Sequence, residues 1–175
     1  MFQWWSVGVL VGMVGATSSQ YLTNPGDIML GGLFPIHKQG EHGLTCGGIQ
    51  DEDGIQPLEA LLFTLDEINA DSHLLPNIKL GVIVLDTCDN PLHGAEQVVD
   101  LLQGFMYRKV KTLHSDVVCS NNTIKNILGL IGGQTSEVSL EIARLGRIFR
   151  VPQAGEHKHN DFRFLIEKHF LNDFR

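Results

Sequence analysis

The chain has 175 residues, of which 43% are apolar and 19% charged, so it carries enough hydrophobic side chains for one folded core. Its 13 basic and 20 acidic residues give a formal charge of −7, which excludes the basic excess that nucleic-acid binders use to neutralise phosphates. The length allows one domain and argues against two.

The N-terminus predicts a secreted product. An apolar run over residues 7–14 is too short to span a bilayer, and the small residues Gly15 and Ala16 follow it. We therefore predict a signal peptide over residues 1–16, although no Lys or Arg precedes the run. The alternative is that this run is a buried strand or helix.

The rest of the chain alternates short apolar runs with segments of helical periodicity. The predicted elements are strands over 28–36, 78–86 and 127–133, helices over 58–69, 94–106 and 136–149, and a fourth strand beginning at Val151. Residues 37–54 are polar and rich in glycine, which indicates a loop. This order predicts an α/β fold with a parallel sheet, helices on both faces and ligands bound beyond the carboxyl ends of the strands.

One loop at that predicted edge has clear chemistry. Gly132 and Gly133 allow close approach to the backbone, and Thr135 and Ser136 add hydroxyl groups at the start of a helix. Free N–H groups and the helix dipole favour an anion there, such as a carboxylate or a phosphate. The alternative is that Thr135 or Ser136 only caps the helix, which is worth about 1 kcal/mol.

Patterns typical of enzymes are missing. A dinucleotide-binding enzyme needs G-x-G-x-x-G after its first strand, where this chain has Phe34, Pro35, Ile36 and His37. Walker, nucleophile-elbow and HExxH patterns are absent as well. We therefore expect no enzymatic activity and no cofactor.

Histidine spacing gives no metal site either, since two pairs lack the companion ligands of a zinc site: His37 with His42, and His157 with His159. We interpret them as surface histidines and predict no bound metal. The acidic run over residues 51–53 indicates a solvated loop.

Cysteine usage and a glycosylation signal fit an oxidising compartment. The chain has three cysteines, and an odd number in a secreted protein predicts an intermolecular bridge, with a free thiol as the alternative. Asn121 begins the sequon Asn121-Asn122-Thr123 beside Cys119, which predicts a glycosylated, exposed loop.

Several segments in chain order resemble the ectodomains of metabotropic glutamate receptors. They are residues 26–37, 54–60, 65–71, 74–81, 130–139 and 151–153. The resemblance covers residues 26–153 and implies a class C G-protein-coupled receptor, with an insect-type amino-acid receptor subgroup as one candidate. It implies an incomplete lobe 1 of a bilobed, type I periplasmic-binding-protein-like domain, followed by an unmatched tail over 154–175.

The resemblance also implies roles for single residues. Ser136, with Thr135 and Gly133, falls where the family holds the α-carboxylate of its ligand. Pro57 stands where glutamate-binding members have an arginine, and Asp53 where they have a tyrosine. Without the positive charge of that arginine, and with Asp53 nearby, a second carboxylate on the ligand is disfavoured, because unpaired charges of like sign cost several kcal/mol to bury. We therefore expect a ligand without an acidic side chain.

The cysteines also match the family. Cys46 and Cys88 fall where it has an intradomain disulfide, and Cys119 where a disulfide links two protomers.

The resemblance implies an extracellular fragment that binds an amino acid and forms receptor dimers through lobe 1. G-protein coupling belongs only to the full-length parent in the plasma membrane, and the fragment alone would be secreted and unable to signal. One alternative is a secreted interaction protein that dimerises with the full-length receptor. A free-standing amino-acid-binding protein would need a second lobe.

Overall fold

The computed structural model describes residues 22–43, 46–111, 127–155 and 162–171. Within these ranges a five-stranded sheet has the order β1-β5-β2-β6-β7, and β3 pairs with β4 in a separate hairpin. The strands are β1 (Leu22–Asn24), β2 (Ile28–Phe34), β3 (His37–Gln39), β4 (Cys46–Ile49), β5 (Leu80–Asp86), β6 (Ile127–Gly132) and β7 (Gln153–Ala154). The predicted leader over residues 1–16 lies outside the described residues.

The centre of the main sheet is parallel, as predicted. Strand β2 pairs with β5 from Ile28 opposite Leu80 to Phe34 opposite Asp86. On its other side β2 runs parallel to β6, which in turn runs parallel to β7. All seven residues of β2 are apolar or glycine, as expected of a strand covered on both faces. The prediction of an α/β fold with a mostly parallel sheet is confirmed.

Two features of the sheet system differ from the prediction. Strand β1 adds an antiparallel edge beside β5, and it was missed because three residues give no usable periodicity. Residues 37–54, predicted as a loop, contain the β3–β4 hairpin and a π-helical turn over Asp51–Ile55. Two glycines in β4 lower its strand propensity, which explains why sequence reasoning missed it.

Helices cover both faces of the sheet, and the longer ones match the predicted positions. They are α1 (Gln56–Ala70), α2 (Pro91–Lys111), α3 (Ser136–Phe149) and α4 (Phe162–Ile166), which continues into a π-helical turn over Glu167–Leu171. Pro57 lies in the first turn of α1, where its missing N–H leaves no helical hydrogen bond unmade. Among the residues that the structure describes, we find no helix with the length and apolar character needed to cross a bilayer.

The two faces of the sheet carry separate hydrophobic clusters. On one face, buried side chains of α1 and α4 pack with Leu30 and Val82 of the strands. On the other, α2 and α3 contribute Val98 and Ile142 to a cluster that includes Leu33. Neighbouring residues of a strand thus point into different cores, as the alternation of strand side chains requires.

The C-terminal segment is part of the first of these cores. Its buried side chains are Phe162, Leu165, Ile166, Phe170 and Leu171. Arg163, at the surface of the segment, donates to Asp71 Oδ2 at 3.2 Å and to Glu167 Oε1 at 2.9 Å. The hydrogen bond with Glu167 is the main reason that the pKa of Arg163 lies above its ordinary value.

Candidate functional site

The loop between β6 and α3 leaves the sheet through two glycines. Gly132 has a φ of 107° and Gly133 a φ of 92°, conformations that other residues rarely adopt. A Cβ on Gly132 would lie 2.1 Å from Leu33 O, and one on Gly133 would lie 2.9 Å from Ser139 Cα. The Gly133 N–H donates to Leu33 O at 3.2 Å, which fixes the loop to the end of β2.

Thr135 and Ser136 lie where the sequence predicts, at the start of α3. Thr135 is the N-cap residue, with extended backbone angles, but its side chain makes no capping hydrogen bond. Ser136 begins the helix and is exposed. The first N–H groups of an α-helix have no acceptor within the helix, and they carry partial positive charge. The loop therefore offers N–H and hydroxyl groups to an anion.

Gln153 supports this loop, and sequence reasoning did not identify it as a site residue. Its side-chain Nε2 donates to Gly132 O at 3.1 Å and to Ser139 Oγ at 3.3 Å. Its Oε1 is buried and has no hydrogen-bond partner among the described residues. The contact depends on β7 lying beside β6 in the sheet, and no local pattern around Gln153 encodes that neighbour.

The second candidate segment follows strand β4 of the hairpin. Asp53 is exposed in the turn over Asp51–Ile55, whereas Pro57 is buried in the first turn of α1. Gln50 ties this turn to the end of β2, since its N–H donates to Ile36 O at 2.8 Å and its Nε2 donates to Pro35 O at 3.3 Å.

Because β2 and β6 are parallel neighbours, the turn with Asp53 and the loop with Ser136 lie beyond the same, carboxyl edge of the sheet. Ligands of open parallel sheets bind at that edge. The structure therefore brings the two predicted segments to the edge where a ligand is expected.

A disulfide joins Cys46 and Cys88 near the same edge, as the resemblance implies. Its Cα atoms are 5.3 Å apart, within the usual range for a disulfide. Cys46 is exposed on β4, and Cys88 is 1% exposed in the turn after β5. The bond therefore fastens the β3–β4 hairpin to the central sheet.

Comparisons with known proteins give the family. The model described as "Receptor family ligand binding region" matches residues 56–158, more than half of the chain. The chain belongs to this receptor family. Metabotropic glutamate receptor 8 of mouse, human and rat is in each case 42% identical to it over 134 residues. These alignments cover 73% of this chain and 14% of each receptor.

The comparisons bear out the resemblance to metabotropic glutamate receptors and place the chain in a family of receptor ligand-binding regions, not in an enzyme family. The family match begins at the first residue of α1 and includes both Pro57 and the Gly133–Ser136 loop. It extends to residue 158, five residues past the end of residues 26–153, which carry the resemblance.

Several predicted residues lie outside the described ranges. These are Cys119, Asn121, His157 and His159. Of the other histidines considered, His37 is half-buried, and its Nδ1 lies 2.5 Å from Asp86 Oδ2. His37 is therefore held by a carboxylate and is not a free surface histidine.

Proposed function

We propose that this chain is the first lobe of an extracellular amino-acid receptor, and that the loop from Gly133 to Ser136 binds the α-carboxylate of the ligand. The observation that carries this proposal is the start of α3, where the Thr135 hydroxyl makes no capping bond and Ser136 is exposed. A carboxylate there would accept hydrogen bonds from uncapped N–H groups and from hydroxyls, which are stronger when the acceptor is charged.

We further propose that the ligand has no acidic side chain. The turn that faces the carboxyl edge carries Asp51, Glu52 and Asp53, and all three are exposed. Pro57 supplies no charge and is buried. A second carboxylate on the ligand would meet acidic groups and no cation, so a neutral amino acid fits this edge better.

In this proposal residues 1–16 direct the chain into the secretory pathway, residues 26–153 form the ligand-binding lobe, and residues 154–175 are the tail. Signalling through a G protein requires the full-length parent receptor in the plasma membrane. The lobe alone supplies one wall of the site, and ligand sites normally enclose 70–90% of a ligand, so its own affinity is expected to be low.

The experiment measures amino-acid binding to a full-length receptor that carries this lobe, with a panel of neutral and acidic amino acids. Ser136→Ala should weaken binding of the preferred ligand by about 10-fold or more, because a hydrogen bond to a charged group is worth about 1.5–3 kcal/mol. Ser72→Ala, at an exposed serine in the turn after α1, is the matched control and should change nothing.

Equal affinity for the wild type and Ser136→Ala would contradict the carboxylate site. Tighter binding of glutamate than of every neutral amino acid would contradict the proposed selectivity. The isolated chain is measured in parallel, and affinity equal to that of the full-length receptor would contradict the need for a second wall.

A second function, a secreted partner of the full-length receptor, is favoured by exposed apolar residues on the face formed by α2 and α3. Leu92 is 68% exposed, Leu140 56% and Ile148 72%. Leu140 and Ile148 are eight residues apart, which places them on the same side of α3, a little more than two turns from each other. In this proposal that side of α3 contacts the receptor, and Cys119 forms the disulfide between the chains.

Co-expression with the full-length receptor and a non-reducing gel test this second function. A mixed dimer is expected, and both Cys119→Ser and Ile148→Asp should reduce it. Phe63→Asp, at a residue of α1 that is 66% exposed on the opposite face of the sheet, is the control. Absence of a mixed dimer, or equal loss with Phe63→Asp, would contradict the proposed interface.

A further inference from the structure

The negative charge of this chain is concentrated in one continuous stretch. Residues 39–78 contain eight acidic residues and no Lys or Arg. The whole chain has a formal charge of −7, so all the other residues together have a charge of +1. Seven of the eight acidic side chains are exposed. The longest element in this stretch is α1, whose outer side therefore presents negative charge to the solvent.

The outer side of α1 combines acidic groups with an exposed aromatic ring. Phe63 is 66% exposed. Glu59 precedes it by one helical turn, and Asp66 and Glu67 follow it by one turn, so the four side chains are neighbours on the helix surface. All three acidic side chains are exposed, and the opposite side of α1 packs on the sheet. We call these four residues the acidic strip of α1, which is about 12 Å long.

The cations nearby do not neutralise this strip. Arg163 of α4 donates to Asp71 Oδ2 at 3.2 Å and to Glu167 Oε1 at 2.9 Å, beyond the end of the strip. Among the residues that the structure describes, no ion pair involves Glu59 or Asp66. The sequence of α1 contains no basic residue of its own. The strip therefore keeps its negative charge in the folded lobe.

The strip is placed where its charge does not help the fold. The carboxyl end of a helix carries partial negative charge, which disfavours acidic side chains close to it. Asp66 and Glu67 lie near that end of α1, which is at Ala70. The ring of Phe63 likewise remains in water instead of packing in the core. Features that do not stabilise the lobe thus coincide on one side of one helix, as is common where a surface serves binding.

The exposed side of α3 differs from the strip in its charge. It also has exposed apolar residues, but there Arg144 Nη1 donates to Glu141 Oε2 at 2.9 Å, and Arg147 is exposed as well. Both signs of charge are therefore present on α3, whereas the strip of α1 carries one sign only. Charge complementarity consequently requires a cationic partner for α1.

We propose that the acidic strip of α1 is the docking surface for a cationic amphipathic helix of a partner protein. Lys and Arg side chains of that helix pair with Glu59, Asp66 and Glu67, while an apolar side chain or a guanidinium plane packs on the ring of Phe63. A helix fits because its rows of side chains can pack between those of α1. The strip and α3 lie on opposite faces of the sheet, so this surface is separate from the interface proposed for α3.

Synthetic peptides of about 18 residues are the probes, since that length covers the strip as a helix. The first is an amphipathic helix of Leu with Lys and Arg, the second has Glu at every basic position, and the third has the composition of the first in an order without an apolar side. The full chain is used in a Cys119→Ser background with its Cys46–Cys88 disulfide intact. Calorimetry should detect binding of the first peptide only. Raising the salt from about 0.1 M to about 1 M should weaken it, because the Debye length falls from about 10 Å to about 3 Å.

Variants of the strip decide whether it is the binding surface. Phe63→Ala should weaken binding by about 10-fold or more, as expected when a central apolar contact is removed. The double substitution Glu59→Gln with Asp66→Asn should weaken it by about 3-fold or more, the effect of losing two exposed ion pairs. Ile148→Ala and Glu96→Gln are the matched controls on the opposite face of the sheet, where both residues are exposed, and they should bind as the wild type does.

Thermal unfolding separates a binding role from a structural one. Asp66→Asn should unfold at the same temperature as the wild type or at a higher one, because it removes a negative charge near the carboxyl end of α1. A lower temperature would show that the charge serves the fold and would overturn the proposal. Equal affinity in Phe63→Ala and the wild type, or equal affinity of the first and third peptides, would show attraction by charge alone and would overturn it as well.

Discussion

The ring of Phe170 lies directly on Gly129 in the middle of β6. A Cβ on Gly129 would lie 2.1 Å from Phe170 Cε1 and 2.7 Å from Cζ, closer than any real side chain allows. The ring therefore occupies the space that any other residue at position 129 would need. This contact joins the C-terminal segment to the central sheet and makes that segment part of the core.

Gly129→Ala is therefore expected to lower the free energy of unfolding by about 1–3 kcal/mol, the usual cost of overpacking a core. The measurement is urea unfolding followed by circular dichroism. Gly48→Ala is the matched control, because a Cβ there meets nothing within 4 Å, and its effect should stay within about 0.5 kcal/mol.

The same contact predicts coupling between the two positions. In a Phe170→Leu background the smaller side chain leaves room for the new methyl group, so Gly129→Ala should cost less than in the wild type. A double-mutant cycle measures this difference. Additive effects of the two substitutions would show that the ring does not set the cost at Gly129.

A second prediction concerns α4, where neighbouring residues lie in opposite environments. Leu165 is 6% exposed and Phe164 is 57% exposed. Leu165→Asp would place an unpaired carboxylate in the core and should cost more than about 3 kcal/mol, whereas Phe164→Asp should cost far less. Thermal unfolding with an apolar dye distinguishes them. Equal unfolding temperatures would mean that the segment does not cover the sheet.

The central strands and helices are easier to predict from the sequence than the C-terminal segment, because their signals are local. The apolar run of β2 and the helical spacing of Leu58, Leu61 and Leu65 are local signals, and both elements form where predicted. Phe162, Leu165 and Ile166 have helical spacing too, but nothing local shows which surface they cover. Their contact with the sheet depends on residues far away in the chain, which one sequence cannot supply.

The candidate site also contains one part that the sequence reveals and another that it does not. The loop through Gly133 to Ser136 is recognisable from the sequence because glycines and hydroxyls follow a strand directly. Gln153 is not, because its hydrogen bond to Gly132 exists only when β7 lies beside β6.

A third prediction concerns the disulfide as a source of stability. Cys46 and Cys88 are 42 residues apart in the chain, and a loop of that length limits the unfolded ensemble by about 4 kcal/mol in the chain-entropy model. The double substitution Cys46→Ser with Cys88→Ser should lower the free energy of unfolding by a few kcal/mol, up to that value. Its native circular dichroism should persist, because the hairpin keeps its contacts through Asn90 and His37.

Urea unfolding in the Cys119→Ser background measures the effect of the double substitution. The reference is the Cys119→Ser chain with its Cys46–Cys88 disulfide intact. An unchanged unfolding midpoint would contradict the entropic account of this bond. Loss of the native spectrum before any urea is added would show that the hairpin depends on the disulfide for its position.

The last prediction tests Gln153 as the support of the proposed carboxylate site. Gln153→Glu keeps the size of the side chain but removes the N–H groups that reach Gly132 O and Ser139 Oγ. The substitution also places a carboxylate opposite the Gly132 carbonyl oxygen. We expect a loss of about 1–3 kcal/mol in stability, the cost of leaving a buried polar group unsatisfied, and weaker ligand binding in the full-length receptor.

Gln134→Glu separates geometry from charge, because Gln134 is exposed in the same loop and the substitution adds the same charge. It should change stability by less than about 0.5 kcal/mol, as expected of a surface substitution. Unfolding temperatures and ligand affinities are measured for both variants. If both weaken binding equally and neither loses stability, the charge alone is responsible and Gln153 does not hold the loop in place.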